Sequence, residues 1–411
     1  MPNTQYLIVN RDKHYGDWLH IWNELTQTSG HALGYAHMVG NIPTMTTLKI
    51  NSNTTSTAAD VVVDGEVLYI PLQFWFCRSI GLSLPLIALQ YHEVKINIEM
   101  REARDCYFYA KYAPPNSTAT PPILEKFSDP QQPLLIGSLN ASLYVDYMYL
   151  DTDERRRFAQ ASHEYLIEQL QFTGDESTSQ VPNKLKLNFN HPVKFLVWIV
   201  QPDDHVAGPV KDSSSNYINY INGKQWFNYT DNEELSMNSL SSSSVMPTSG
   251  AIAAGGTIST FVSANWGFGN CPTNRARLQL NGHDRMAERD GKYYNCVQPF
   301  QHFENVPSQG ICVYSFAMRP VDHQPSGTCN FSRIDNATLN LELTPKSVKG
   351  ISGGGPRSCK VRVYGVNYNV LRIMSGMGKG KKQISTAHNS WLPRRFATTT
   401  TRVNSVRMRA F

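Results

Sequence analysis

LKLNFNHPVKFLVWIVQ, residues 185–201, carries the reading that decides the architecture. Leu185, Leu187 and Phe189 alternate with Lys184, Lys186 and Asn188, the two-residue period of a strand with one buried face and one wet face. The same stretch holds the longest purely apolar run of the chain, FLVWIV at 195–200. That run falls far short of the roughly 18 residues that suggest a membrane-spanning helix.

Outward from this segment the same period recurs. Val94, Ile96, Ile98 and Met100 alternate with Lys95, Asn97 and Glu99, and Leu339, Leu341 and Leu343 repeat the pattern. Such strands pack as antiparallel sandwiches. Helical signals are few. Trp18, Trp22 and Leu25 fall at i, i+4 and i+7, and Asp151 with Glu154 three positions on marks a capped start for one short helix through Phe158. The expected class is all-β, with a few short helices as decoration.

The chain has 411 residues, a length prior of two to three domains at roughly 150 residues each. Charged residues make up 17% of it, below the roughly 25% of an average globular chain, which argues against coiled coil and charge-rich disorder. Its N-terminus, MPNTQYLIVNRDKHYGDW, lacks a basic start, an apolar core and a small-residue cleavage site, so Sec-type secretion is unsupported. Seven cysteines (Cys77, Cys106, Cys271, Cys296, Cys312, Cys329 and Cys359) are scattered and form no CxxC pair. They read as reduced thiols of an intracellular compartment, with no disulfide scaffold or zinc site implied.

The net charge of +5 is unevenly spread. Residues 379–411 carry Lys379, Lys381, Lys382, Arg394, Arg395, Arg402, Arg407 and Arg409 and no acidic residue, so the remainder is mildly acidic. FTGDESTSQVPNK at 172–184, polar with Gly and Pro, is the expected boundary between two domains. Residues 202–260, rich in Ser, Asn and Gly, read as an exposed excursion of the second domain or as a flexible linker. VKINIEM from Val94 and ATLNLEL from Ala337 match in pattern, and FWFCR ending at Arg78 and YSFAMR ending at Arg319 precede them at nearly the same spacing. This pairing suggests a duplicated β-domain, on a weak signal.

Tests for chemistry come out negative. Gly350-Ile351-Ser352-Gly353-Gly354 matches a hydrolase elbow, but Gly355-Pro356 follows where a helix must open. Residues 376–382, GMGKGKK, lack phosphate-loop spacing and a Ser or Thr for magnesium. His92-Glu93 and His163-Glu164 lack the second histidine of a metalloprotease helix. Asp151, Asp153 and Glu154 could pass for paired carboxylates of a glycoside hydrolase. With Arg155, Arg156 and Arg157 directly after them, they read better as a helix start with local ion pairs. Acceptor sequons at Asn53, Asn116, Asn140, Asn228, Asn330 and Asn336 are incidental matches in a Ser/Thr/Asn-rich chain. No catalytic residue, cofactor or metal site is expected.

Longer segments carry a resemblance. YIPLQFWFCRSIGLSLPLIALQYHEVKI (69–96), YLDTDERRRFAQASHEYLIEQLQ (149–171), LKLNFNHPVKFLVWIVQ (185–201) and QPSGTCNFSRIDNATL (324–339) resemble the major capsid proteins of the nucleocytoplasmic large DNA viruses, in phycodnaviruses, iridoviruses and mimiviruses. RDKHYGDWLHIWNELT (11–26) and YGVNYNVLRIMSGMG (364–378) add to it. The resemblance implies a double jelly-roll, two eight-stranded antiparallel sandwiches in tandem. The first would span 1–172 without its opening strands, 173–183 would link, and the second would span 184–378 with the exposed loop 202–260 on the outward face. Residues 379–411 would form a basic, disordered tail.

The resemblance also implies a function. Such a protein is structural and not an enzyme: it forms homotrimers whose six jelly-rolls make pseudo-hexagonal capsomers tiling an icosahedral virion capsid, assembled in the host cytoplasm. Its partners would be its own copies, neighbouring capsomers and minor capsid proteins. The eight basic residues of 379–411 are candidates for non-specific nucleic-acid contact through phosphate neutralisation, against the plainer reading of a solvated tail. A lectin-like sandwich binding module is the alternative from another class, and a glycoside hydrolase acting through Asp153 ranks third.

Overall fold

The computed structural model describes residues 12–42, 66–89, 94–101, 106, 109–113, 123–125, 141–206, 221–222, 226–231, 269–349 and 357–373. Two helices open it, α1 (Gly16–Thr26) and α2 (Ser29–Val39). Strands β1 (Tyr109–Ala113) and β2 (Ile123–Glu125) follow, then α3 (Thr152–Gln160). The remaining strands are β3 (His163–Thr178), β4 (Pro182–Lys186), β5 (Pro192–Pro202), β6 (Ile221–Asn222), β7 (Thr273–Leu280), β8 (His283–Asp284), β9 (Arg289–Asp290), β10 (Ile311–Ser315), β11 (Cys329–Asn330), β12 (Ala337–Leu343) and β13 (Cys359–Ile373).

Two five-stranded sheets dominate. One has the order β10-β5-β13-β3 with β11 also on β5, the other the order β4-β12-β7-β8 with β9 also on β7. Every ladder is antiparallel, and β13 pairs β3 from Cys359↔Thr178 to Ile373↔His163. A separate small sheet joins β1 to β2 and β6.

The first sheet is buried on both faces. Leu196, Trp198 and Val200 of β5, with Cys312 of β10 and Val361 and Val363 of β13, pack against Leu185, Leu278, Leu339 and Leu341 of the second sheet. On the other face Phe195, Val197 and Ile199, with Ile311, Val313, Tyr364 and Val366, meet Trp18, Ile21, Trp22 and Leu25 of α1. A strand with no wet face reads as a continuous apolar run instead of an alternation, which is why 195–200 is FLVWIV. In β12, with only one face on the core, Leu339, Leu341 and Leu343 are buried while Thr338, Asn340 and Glu342 are less so.

Local chemistry fixes the elements. The four buried apolar residues of α1 recur at i, i+3, i+4 and i+7 and place one stripe on the sheet, with Trp18 5.6 Å from Tyr364 and 6.3 Å from Phe195 between ring centroids. The Asp151 carboxylate accepts the Glu154 N–H at 2.8 Å and caps α3 as its spacing requires. Asn281-Gly282, with φ of 51° and 83°, turns β7 into β8 through the left-handed backbone that Asn and Gly tolerate. Gly310 enters β10 at φ 98°, and a Cβ there would lie 1.9 Å from the Tyr229 carbonyl oxygen, so no other residue fits.

Three expectations need correction. Residues 173–183 are no free linker: β3 runs to Thr178 and β4 begins at Pro182, so the first sheet starts at His163, inside the span assigned to the first domain. The stretch is polar because β3 lies at the sheet edge, where a polar face blunts pairing with other chains. Residues 94–100 join no ladder among the described residues, and Ile98 and Met100 are 46% and 47% exposed. Finally, 202–260 is not exposed throughout, because Asn228, Tyr229, Thr230 and Asp231 are buried, with Tyr229 packed into the core beneath α1.

Replacing Trp18 by Ala is expected to cost about 3–5 kcal/mol, the usual range for truncating a buried Trp. The exposed Leu33→Ala on α2 should change stability by less than about 0.5 kcal/mol. Urea denaturation midpoints of the two variants check this.

Candidate functional site

Two buried ionic clusters fasten the N-terminal segments to the first sheet. In one, Arg362 of β13 donates through Nη1 to Asp17 of α1 at 3.0 Å and to Gln201 of β5 at 3.0 Å, and through Nε to Asp175 of β3 at 2.8 Å. Arg101 donates to the other Asp17 oxygen at 3.3 Å, and its guanidinium lies 3.5 Å from the centre of the Trp226 ring. Burial raises the Asp17 carboxyl above the usual carboxylate range, against the pull of Arg362 and Arg101. Burial works against the charge of Arg362, but Asp17 and Asp175 outweigh it and hold the guanidinium above its ordinary value.

In the second cluster, Glu168 of β3 accepts from Lys194 of β5 at 2.6 Å and from the Arg78 guanidinium. Lys194 is 0% exposed, and burial lowers its pKa despite the Glu168 partner. Arg78 also lies 4.1 Å over the Trp22 ring, and Lys194 4.9 Å over Tyr368. Beside this cluster is a cleft of about 90 Å³ lined by Trp75, Arg78, Leu82, Glu168, Val321 and His323. Buried pairs of this kind contribute little net stability, yet removing one partner strands the other, so they fix how segments dock.

The surface is as telling as the interior. Tyr144 and Tyr149 are 84% and 93% exposed, with Tyr147 and Met148 exposed between them. Val67, Leu68, Tyr69 and Ile70 form a second exposed apolar run, and Phe300 and Met318 are exposed on the sandwich. Contiguous apolar surface mostly marks protein contacts.

Those residues singled out from the sequence that the structure describes hold structural positions. Arg156 reaches Asp153 at 3.7 Å on α3, Glu164 pairs Arg372 at 2.9 Å between β3 and β13, and the His163 ring meets the Phe158 carbonyl at 2.8 Å. Asn228 is buried, and Asn330 caps a short turn by accepting the Ser332 N–H at 3.1 Å. His92, Glu93, Ser352, residues 376–382, Asn53, Asn116, Asn140 and all eight basic residues of 379–411 lie outside the described residues. Among the described residues no three His, Cys, Asp or Glu side chains gather to hold a metal ion, and no helix is long and apolar enough to cross a membrane. Sequence reasoning missed Asp17, Glu168, Lys194 and Arg362. The one available signal was a lysine at 194 beside an otherwise apolar run.

This geometry, a sandwich with clamped N-terminal segments, agrees with the comparisons. The family model for the large eukaryotic DNA virus major capsid protein matches residues 154–379, and that for the major capsid protein N-terminus matches residues 6–151. The chain belongs to the major capsid protein family of large eukaryotic DNA viruses. The major capsid protein of Phaeocystis pouchetii virus is 45% identical, over 89% of this chain and 77% of that protein. The major capsid protein of Paramecium bursaria Chlorella virus 1 is 36% identical, over 89% of this chain and 75% of that protein. A solved PBCV-1 virus capsid superposes with a TM-score of 0.52 at 32% identity, over 89% of this chain and 79% of that one. The fold is thus the double jelly-roll of these capsid proteins.

Arg362→Leu leaves Asp17 and Asp175 facing an apolar side chain and is expected to cost about 3–5 kcal/mol, with most of the loss recovered in Asp17→Leu/Arg362→Leu. Denaturation midpoints of the single and double variants check the coupling.

Proposed function

We propose that this capsid-family chain is the repeating unit of an icosahedral shell, acting as a homotrimer whose six jelly-rolls form a pseudo-hexagonal capsomer. The observation that carries the reading is the superposition on the PBCV-1 capsid over 89% of the chain. The exposed apolar runs at 67–70 and 144–149 support it, because a ring closed by heterologous contacts needs such surface on each copy. Its mechanism is geometric. Rigid sandwiches held in one pose by the Arg362 and Glu168 clusters present the same edges three times, and capsomers then pack side by side. A standard stable interface buries about 1,600 Å², and repetition around a shell makes modest contacts collectively strong.

In this proposal the chain sits in the virion capsid, assembles in the host cytoplasm and meets minor capsid proteins at capsomer edges. The rolls divide near β3, with residues before His163 supplying the first. The basic residues from Lys379 to Arg409 would neutralise phosphates and release counterions, giving salt-sensitive binding without sequence preference.

Light scattering on the purified chain should give a discrete species of three times 46.3 kDa. A monomer that stays monomeric at high concentration would defeat the capsomer reading. Deleting 379–411 should abolish retention on a DNA column at low salt, whereas unchanged retention would remove the nucleic-acid role of the tail.

A further inference from the structure

Two sulfurs from opposite sheets meet inside the second sandwich. Cys271 stands just ahead of β7 in one sheet, and Cys312 lies in β10 of the other, opposite Trp198 of β5. Their Sγ atoms are 3.4 Å apart. A disulfide needs about 2.05 Å between sulfurs, so closure asks for a shift of about 1.4 Å. Both residues belong to the sandwich interior, Cys312 fully buried in its core and Cys271 partly exposed against it.

The two thiols are chemically unlike. The two sulfurs share a hydrogen bond, and this contact holds the Cys271 thiol below its ordinary pKa although burial opposes this. Burial pushes Cys312 well up. Cys271, more accessible and more easily ionised, is the sulfur that can attack first. Nearby cysteines are engaged elsewhere: Cys296 donates to Asn295 at 3.5 Å and Cys359 to the Ser347 carbonyl at 3.1 Å.

We propose that Cys271 and Cys312 are a modification site, joined by a small-molecule disulfide into an inter-sheet disulfide. The Cys271 thiolate attacks one sulfur of the reagent, breaking its S–S bond, releasing one small thiol and leaving a mixed disulfide on Cys271. Cys312 then gives up its proton, its sulfur attacks the Cys271 Sγ, and the second small thiol leaves. Two electrons pass from the cysteine pair to the reagent, which ends as two thiols. The new bond spans 41 positions of sequence and pins β7 to β10, which restricts the unfolded chain and resists separation of the sheets.

The biological consequence rests on the capsid reading. Thiols stay reduced where cytosolic reductants act and oxidise outside the cell, so the shell unit would fold with free thiols and gain its staple in the released particle.

The test uses the full chain, folded, incubated with oxidised or with reduced glutathione, then denatured in N-ethylmaleimide and digested for mass spectrometry. The oxidised sample should yield a Cys271–Cys312 linked peptide pair, absent after reduction, and a thermal midpoint higher by about 5 °C or more. Cys271→Ser should lose both effects while labelling of the other cysteines is unchanged. Both thiols alkylated after oxidation, a reaction halting at glutathionylated Cys271, Cys312 joined to Cys296, or a midpoint rise that persists in Cys271→Ser would each overturn the proposal. The linkage is read on the chain whatever its oligomeric state. A linked monomer would therefore keep the disulfide and defeat the capsomer, and an unlinked trimer would do the reverse.

Discussion

Everything in the described sandwich depends on a sheet with no wet face. Strand β5 packs Leu196, Trp198 and Val200 into the inter-sheet core and Phe195, Val197 and Ile199 against α1 and its neighbours. Apolar burial contributes roughly 25 cal/mol per Å² removed from water, so a strand buried on both sides gathers about twice the stabilisation of a half-buried one. The second face requires a cover from outside the sandwich, and helix α1 supplies it with two tryptophans. The N-terminal segment is thus part of the core of the described sandwich rather than an appendage.

Charge then settles the pose of that cover. An apolar helix face slides easily on an apolar sheet, because dispersion contacts are individually weak and non-directional. Asp17 on the helix cannot slide away from Arg362 without leaving two buried charges unpaired, and Arg78, Glu168 and Lys194 apply the same constraint nearby. Such clusters add little to net stability and much to positional definition. For a unit that must repeat in one shape around a shell, positional definition is the property that matters.

In the proposed reading, surface and rigidity carry the function. The carboxylates and arginines around α3 cap and brace a helix, and the exposed tyrosines before it present contact area. Membership of the capsid family gives this arrangement its meaning: the chemistry of the molecule is recognition of its own copies. The Cys271 and Cys312 sulfurs are the exception, a reactive pair placed where the two sheets meet.

Local pattern was sufficient for the strands at 184–186 and 337–343, the α1 stripe and the α3 cap, because each depends on residues a few positions apart. The long segments resembling capsid proteins carried the family. Composition misled at 172–184, where a polar run is a sheet edge, and alternation at 94–100 joins no ladder among the described residues. The sequence could not disclose which face of β5 meets α1, or that Asp17 would meet Arg362 and Cys271 would meet Cys312. Those pairings join residues far apart along the chain, and only the closing of the antiparallel ladders and the packing of one sheet on another brings them within reach.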